Sequence, residues 1–161
     1  MIDRLYTITA FTDNSPGVLH RLTTTLTRRK VNIESLTVSE TEKKGVSRFT
    51  IVVKLTPELI SKVTKQIDRI IEVRHAYFAE NADLIFKEIA FIRVSGSPEK
   101  RHEIEELAHR YDATVTYASN SGLLIEKSGS EDEINSLYML LEPYGIQEFT
   151  RSGRIAVKKE I

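Results

Sequence analysis

The chain is 161 residues long, 40% hydrophobic and 29% charged, with 23 basic residues against 23 acidic ones and no cysteine. That length suits one domain or two small ones. Balanced charge points away from nucleic acid and from anionic membrane surfaces, and the missing cysteine excludes disulfides, thiolate catalysis and cysteine-ligated zinc. No apolar run approaches the roughly 20 residues of a membrane span, and Met1-Ile2-Asp3-Arg4 is unlike a signal peptide, so a cytoplasmic protein is expected.

Apolar spacing predicts a strand over 5–12, then a helix from Pro16 that gathers Val18, Leu19, Leu22 and Leu26 on one face. A second strand is predicted over 32–40. Lys43-Lys44-Gly45 turns the chain into a third strand, in which Phe49, Ile51, Val53 and Leu55 alternate. Thr56-Pro57 opens a helix whose Leu59, Ile60, Val63, Ile67 and Ile70 keep helical spacing, and a fourth strand follows over 73–79.

The same order then returns. After Glu80-Asn81-Ala82-Asp83 come a strand over 87–95 and a helix opened by Ser97-Pro98, with Ile104, Leu107, Ala108 and Tyr111 on one face. Strands over 114–118 and 123–127 meet at Ser119-Asn120-Ser121-Gly122. Ser130 with Glu133 forms a capping box for a helix bearing Ile134, Leu137, Tyr138 and Leu141. Segments 146–150 and 154–157 are expected to close the second half. The fold predicted is α+β: two tandem ferredoxin-like βαββαβ domains, 1–79 and 80–161, each an antiparallel sheet with two helices on one face.

Asp13-Asn14-Ser15-Pro16-Gly17-Val18-Leu19 suits a small anion. Ser15 is a good N-cap, Pro16 suits the first helical position, and Gly17 permits close approach. The amides of Gly17, Val18 and Leu19 then point out of the helix start, where the dipole favours a carboxylate or phosphate, with Asn14 beside them. Taken alone, Asn-Ser-Pro-Gly reads simply as a turn from strand to helix. At the matching place in the second half stands Ser97-Pro98-Glu99, so a carboxylate already occupies the position an anion would take.

His102, Glu106 and His109 share a helix face, but Glu106 stands where a zincin helix has its second histidine, and a solvated charged face is the better reading. Arg28-Arg29-Lys30 reads as cations complementing a helix end. Neither a nucleophile elbow, a phosphate loop nor a dinucleotide fingerprint is present, and no catalytic or metal-ligating residue is assigned. RNA-recognition modules share the βαββαβ order, but 46–53 carries a lone aromatic, Phe49, and lacks the glycine and the exposed stacking rings that such a strand uses.

Asn32-Ile33-Glu34-Ser35-Leu36-Thr37-Val38 resembles the regulatory (small) subunits of acetohydroxyacid synthase, also called acetolactate synthase. The resemblance includes the Asn-x-x-Gly-x-Leu turn at Asn14, Gly17 and Leu19, the strand Lys87-Glu88-Ile89-Ala90-Phe91-Ile92-Arg93-Val94, and Arg151-Ser152-Gly153. It implies an N-terminal ACT domain and a non-catalytic subunit that binds valine or a related branched-chain amino acid and controls a separate catalytic chain. Thiamine diphosphate, magnesium and FAD are then expected on that chain, and none on this one. The resemblance further implies a homodimer, with Asn14, Gly17 and Leu19 contributed by one protomer and Asn32 and Ile33 by the other, and the effector then also meets the Val18 amide of the helix start. A free-standing ACT-type sensor of another enzyme is the alternative. One departure stands out: the family has Gly and an aromatic where this chain has Lys30-Val31, so Lys30 must bear left-handed strain or the helix must end differently.

Overall fold

The computed structural model describes residues 2–160. Two compact units emerge, one running to Phe86 and resumed from Arg154 onward, the other Lys87–Gly153. In the first, β1 (Arg4–Asp13), α1 (Val18–Arg28), β2 (Ile33–Glu40), β3 (Val46–Leu55), α2 (Pro57–Asp68) and β4 (Val73–Glu80) follow one another, and the antiparallel sheet has the order β2-β3-β1-β4. Alternation puts Tyr6, Ile8 and Ala10 of β1 on the helix-bearing face, opposite Val53, Ile51 and Phe49 of β3. Leu22 and Leu26 of α1 and Ile60, Val63 and Ile67 of α2 close over them, and all are buried.

The second unit repeats the plan. It takes the rest of β5 (Leu84–Val94), then α3 (Arg101–Arg110), β6 (Thr114–Ser119), β7 (Gly122–Gly129), α4 (Glu131–Leu141) and β8 (Ile146–Arg151), in the sheet order β6-β7-β5-β8. Ile92, Val94, Ile104, Leu123, Ile125 and Leu137 form its core. The predicted capping box is present: Ser130 N–H donates to Glu133 Oε2 at 2.6 Å, and Glu133 N–H donates to Ser130 Oγ at 3.3 Å. No helix among the described residues is long and apolar enough to cross a membrane.

The division differs from a cut at residue 80. β9 (Ile155–Lys158) pairs with β5 as the fifth strand of the second sheet, as expected, yet the segment from Arg154 packs within the first compact unit. The cause is a buried cation. Arg154 is only 3% exposed; its guanidinium donates to Thr7 Oγ1 at 3.1 Å and Asn81 Oδ1 at 2.7 Å and lies 3.9 Å from the centre of the Phe86 ring. Burying a guanidinium demands such partners, and these stand on the first unit. Arg48 donates to the Ala156 carbonyl, and Lys158 Nζ sits 4.1 Å over the Tyr77 ring. By the sheet's alternation Thr7, Arg48 and Tyr77 share the face away from the helices, so the C-terminal segment covers that face.

α2 and α4 start as expected, α1 and α3 start later, and the stop of α1 agrees with expectation. α1 begins at Val18 with Gly17 as N-cap in the left-handed region (φ 88°), and Ser15 provides no cap. Its N–H instead donates to the Asp13 carbonyl at 3.0 Å. α3 begins at Arg101, and Pro98 to Lys100 form a turn closed by Lys100 N–H to Ser97 O at 3.0 Å. Glu99 therefore lies before the helix rather than within its first turn. At the end of α1, Lys30 has φ 56°. Its N–H donates to Thr27 O and that of Val31 to Leu26 O, at 2.9 and 3.1 Å. This is a Schellman ending with lysine in the left-handed place that glycine prefers, the strain anticipated from the sequence. Asp112 (φ 50°) ends α3 the same way, with Ala113 N–H on Ala108 O at 2.9 Å.

Candidate functional site

α1 starts without compensation. Thr56 caps α2 through its hydroxyl and Ser130 caps α4, while α3, which lacks a side-chain cap, has Glu103 in its first turn. α1 has neither a side-chain cap nor a first-turn acid. The N–H groups of its first turn therefore have no intrahelical acceptor and no neutralising carboxylate, at the positive end of the dipole. A Cβ built on Gly17 meets nothing within 4 Å, so the approach to these amides is open.

The loop holding that helix start is tied down from several sides. Asn14 N–H donates to the Gly45 carbonyl at 2.9 Å, and Asn14 Nδ2 donates to Glu40 Oε1 at 3.1 Å. Asp13 N–H donates to the Glu72 carbonyl at 2.8 Å, and the Asp13 carboxylate receives Arg74 Nε at 2.7 Å. Arg21, one turn into α1, pairs with Glu72. The Glu40, Gly45 and Arg21–Glu72 contributions were not foreseen. Gly45 marks a hairpin in the sequence, but no local pattern shows that the hairpin folds back onto the β1–α1 loop. Because the Asn14 amide nitrogen is engaged by Glu40, the acceptor that its side chain still offers is Oδ1.

The expected site residues fall into different roles. Asn14 and Gly17 are exposed at the helix start. Val18 is 2% exposed, so its side chain belongs to the core and only its amide faces the opening. Leu19 is 46% exposed, off the core face on which spacing placed it, and stands as an apolar surface beside the amides. Asn32 and Ile33 lie beyond the other end of α1, which at 11 residues is about 16 Å long, so one chain does not bring the two groups together. Asn32 is exposed with Nδ2 3.4 Å from Glu34 Oε1, and Ile33 is half-buried opposite Val53. The register slips between Ile33 and Ser35, a bulge on a strand that among the described residues pairs with β3 alone, leaving the outer backbone edge of β2 open to them.

Phe49, the ring on which an RNA-stacking surface would depend, is 4% exposed and packed in the core. His102 pairs with Glu106 at 3.5 Å along α3, both well exposed.

Comparison with known proteins gives consistent matches along the chain. Residues 8–75 match the model of the AHAS small subunit-like ACT domain, and residues 87–160 match that of the small subunit of acetolactate synthase. A probable acetolactate synthase small subunit of Archaeoglobus fulgidus is 38% identical over 153 residues, 94% of this chain and 95% of that protein. The acetolactate synthase small subunit of Bacillus subtilis is 37% identical over 154 residues, 95% of this chain and 88% of that protein. The crystal structure of the acetolactate synthase small subunit from Thermotoga maritima superposes with a TM-score of 0.90 at 28% identity, covering 98% of this chain and 99% of that one.

Proposed function

The chain belongs to the acetolactate synthase small-subunit family, and on that premise we propose that its first unit is the sensor for valine or a related branched-chain amino acid. The chain itself performs no chemistry. It acts in the cytoplasm on a separate catalytic subunit that carries thiamine diphosphate, magnesium and FAD.

One observation carries the reading: α1 starts with free, uncompensated amides at an open glycine. The effector carboxylate sits on the amides of Gly17, Val18 and Leu19. Its ammonium donates to the Oδ1 atoms of Asn14 and Asn32, and its branched side chain lies between Leu19 and Ile33. Because Asn14 and Asn32 are at opposite ends of α1, the pocket needs a homodimer in which Asn32 and Ile33 come from the partner. The open edge and bulge of β2 suit such pairing. Binding across two protomers then biases their arrangement by the difference in affinity between states, which is how a distant catalytic chain is controlled.

The test is reconstitution. The chain should co-purify with a catalytic acetolactate synthase subunit, and the complex should change activity on addition of valine while the catalytic subunit alone does not. A complex indifferent to valine, leucine and isoleucine would overturn the sensing role, and failure to associate would favour a free-standing sensor of another enzyme.

A further inference from the structure

The solvent groove between the last turns of α1 and α2 holds a concentration of arginine. A recess of about 520 Å³ is lined by Thr25, Arg28 and Arg29 from one helix and Gln66 and Arg69 from the other, with no carboxylate among them. Several arginines elsewhere are matched with acids, Arg4 with Glu80, Arg21 with Glu72, Arg74 with Asp13, Arg93 with Glu148 and Arg151 with Glu88 and Glu131, while Arg48 and Arg101 donate to backbone carbonyls. Here they are not. Among the described residues Arg28 and Arg69 have no hydrogen-bonded side-chain or carbonyl partner, and Arg29 has only Gln66 Oε1, at 3.2 Å.

Helix dipoles attract cations to C-terminal turns, but that does not account for the cluster. The carbonyls of Leu26 and Thr27 at the end of α1 are taken by the N–H groups of Val31 and Lys30, and those of Gln66 and Ile67 in α2 by Arg69 and Ile70. The guanidinium groups cap none of them. Asp68, the nearest acid in sequence, is turned elsewhere, accepting from Ala76 N–H at 2.7 Å with His75 at 3.6 Å. Three planar, always charged forks thus border one recess in a chain whose formal net charge is zero.

We propose that this recess binds a compact polyanion of the phosphate class, held by Arg28, Arg29 and Arg69, with Gln66 fixing the Arg29 fork. Guanidinium and phosphate match as paired donors and acceptors, and the neutral linings Thr25 and Gln66 add no repulsion. The site is separate from the amide opening of α1 and independent of the amino-acid reading.

The experiment is calorimetric titration of the full-length protein with inorganic pyrophosphate at low ionic strength. Orthophosphate, citrate, a nucleoside diphosphate and sodium chloride at matched ionic strength form the other arms. Pyrophosphate should bind saturably and more tightly than citrate or chloride, and excess valine should not displace it. Arg28→Ala and Arg69→Ala should each weaken it about tenfold or more, and Arg69→Lys should recover only part of the loss because a point charge replaces the fork. All three residues are exposed, so these variants keep the fold. A nucleoside diphosphate binding no tighter than pyrophosphate means that the phosphates alone are read; tighter binding that still requires the arginines assigns the site to nucleotides. Absence of saturable binding, binding unchanged in the arginine variants, or citrate bound as tightly as pyrophosphate would each overturn the proposal.

Discussion

Asn14 and Glu40 meet at 3.1 Å, the carboxamide of the β1–α1 loop donating to the carboxylate at the end of β2. The contact orients the Asn14 carboxamide, which has both a donor and an acceptor, and it joins the helix start to the strand at the end of its sheet. Removing the carboxylate lets the Asn14 amide rotate and compete for the wrong end of the effector. Glu40→Ala should therefore weaken valine binding by about 1 kcal/mol, roughly fivefold, with little change in melting temperature because both groups are exposed. Titration calorimetry of the two proteins checks this, and equal affinities would remove Glu40 from the site.

Gly17 allows strain and charge to be separated. Its φ of 88° penalises any side chain, but nothing stands within 4 Å of an added Cβ. Alanine should cost about 1–2 kcal/mol of stability, whereas aspartate tolerates the left-handed region better. Aspartate, however, places a negative charge against the effector carboxylate. The expected order is thus inverted between two measurements: Gly17→Ala is the less stable protein in urea and retains valine binding, while Gly17→Asp is the more stable and loses it. If the two variants bound valine equally, the helix-start mechanism would fail.

Strand positions and order were legible because alternation of Phe49, Ile51 and Val53 reports the face packed on the helices, although burial of Thr50 and Val52 on the other face carries no such signal. The helix starts were less so. Ser15-Pro16 carries a strong local capping signal, yet the tight turn from Asp13 puts Gly17 at the cap, a choice made by the loop's bonds to Gly45 and Glu72 rather than by propensity. Strain at Lys30 was readable through the resemblance alone, which puts glycine where this chain has lysine at the helix stop. The contacts of Arg154 were not, since Thr7 and Asn81 are separated from it by 147 and 73 residues, and nothing near Arg154 in sequence marks it as a buried cation.

Lys30 and Asp112 offer a gain in stability. Each occupies the left-handed position of a Schellman ending, at φ 56° and 50°. Glycine relieves the Cβ clash there but adds freedom to the unfolded chain, so each of Lys30→Gly and Asp112→Gly should stabilise by about 0.5–1 kcal/mol. The two lie in different units and should add. Urea midpoints of the single and double variants test this, and a loss of stability in both singles would show that the strain is not local.

Acid should act on the α4 start. The Ser130 N–H, followed by the Ser130 hydroxyl contact, holds the Glu133 carboxyl below the ordinary carboxylate range. A carboxyl depressed in the folded state binds its proton more readily when unfolded, so its stabilisation is present above the ordinary value and is lost as pH falls through it to the depressed one. Glu133→Gln removes this titration. Melting temperatures measured between about pH 6 and pH 3 should fall more for the parent protein than for the variant. Parallel curves would show that the capping carboxylate makes no pH-dependent contribution.

The C-terminal segment should matter most to the unit furthest from it in sequence. Arg154 bonds to Thr7 and Asn81 and stacks on Phe86, while Arg48 holds the Ala156 carbonyl. Arg154→Ala leaves the buried Thr7 hydroxyl without its donor and opens the covered face of the first sheet, at a cost of about 1–3 kcal/mol or more. A fragment ending at Glu80 lacks both Phe86 and Arg154, so it should fold poorly, and amino-acid binding by the first unit should require residues 84–86 and 154–158 as well. Hydrogen exchange locates the damage. In full-length Arg154→Ala the amides of β1 and β4 should exchange faster while those of β6 and β7 hold, because the cation's contacts to Thr7, Asn81 and Phe86 all lie in the first unit. Faster exchange confined to β6 and β7, or a Glu80 fragment as stable as the parent's first unit, would show that the Arg154 contacts do not support the first unit.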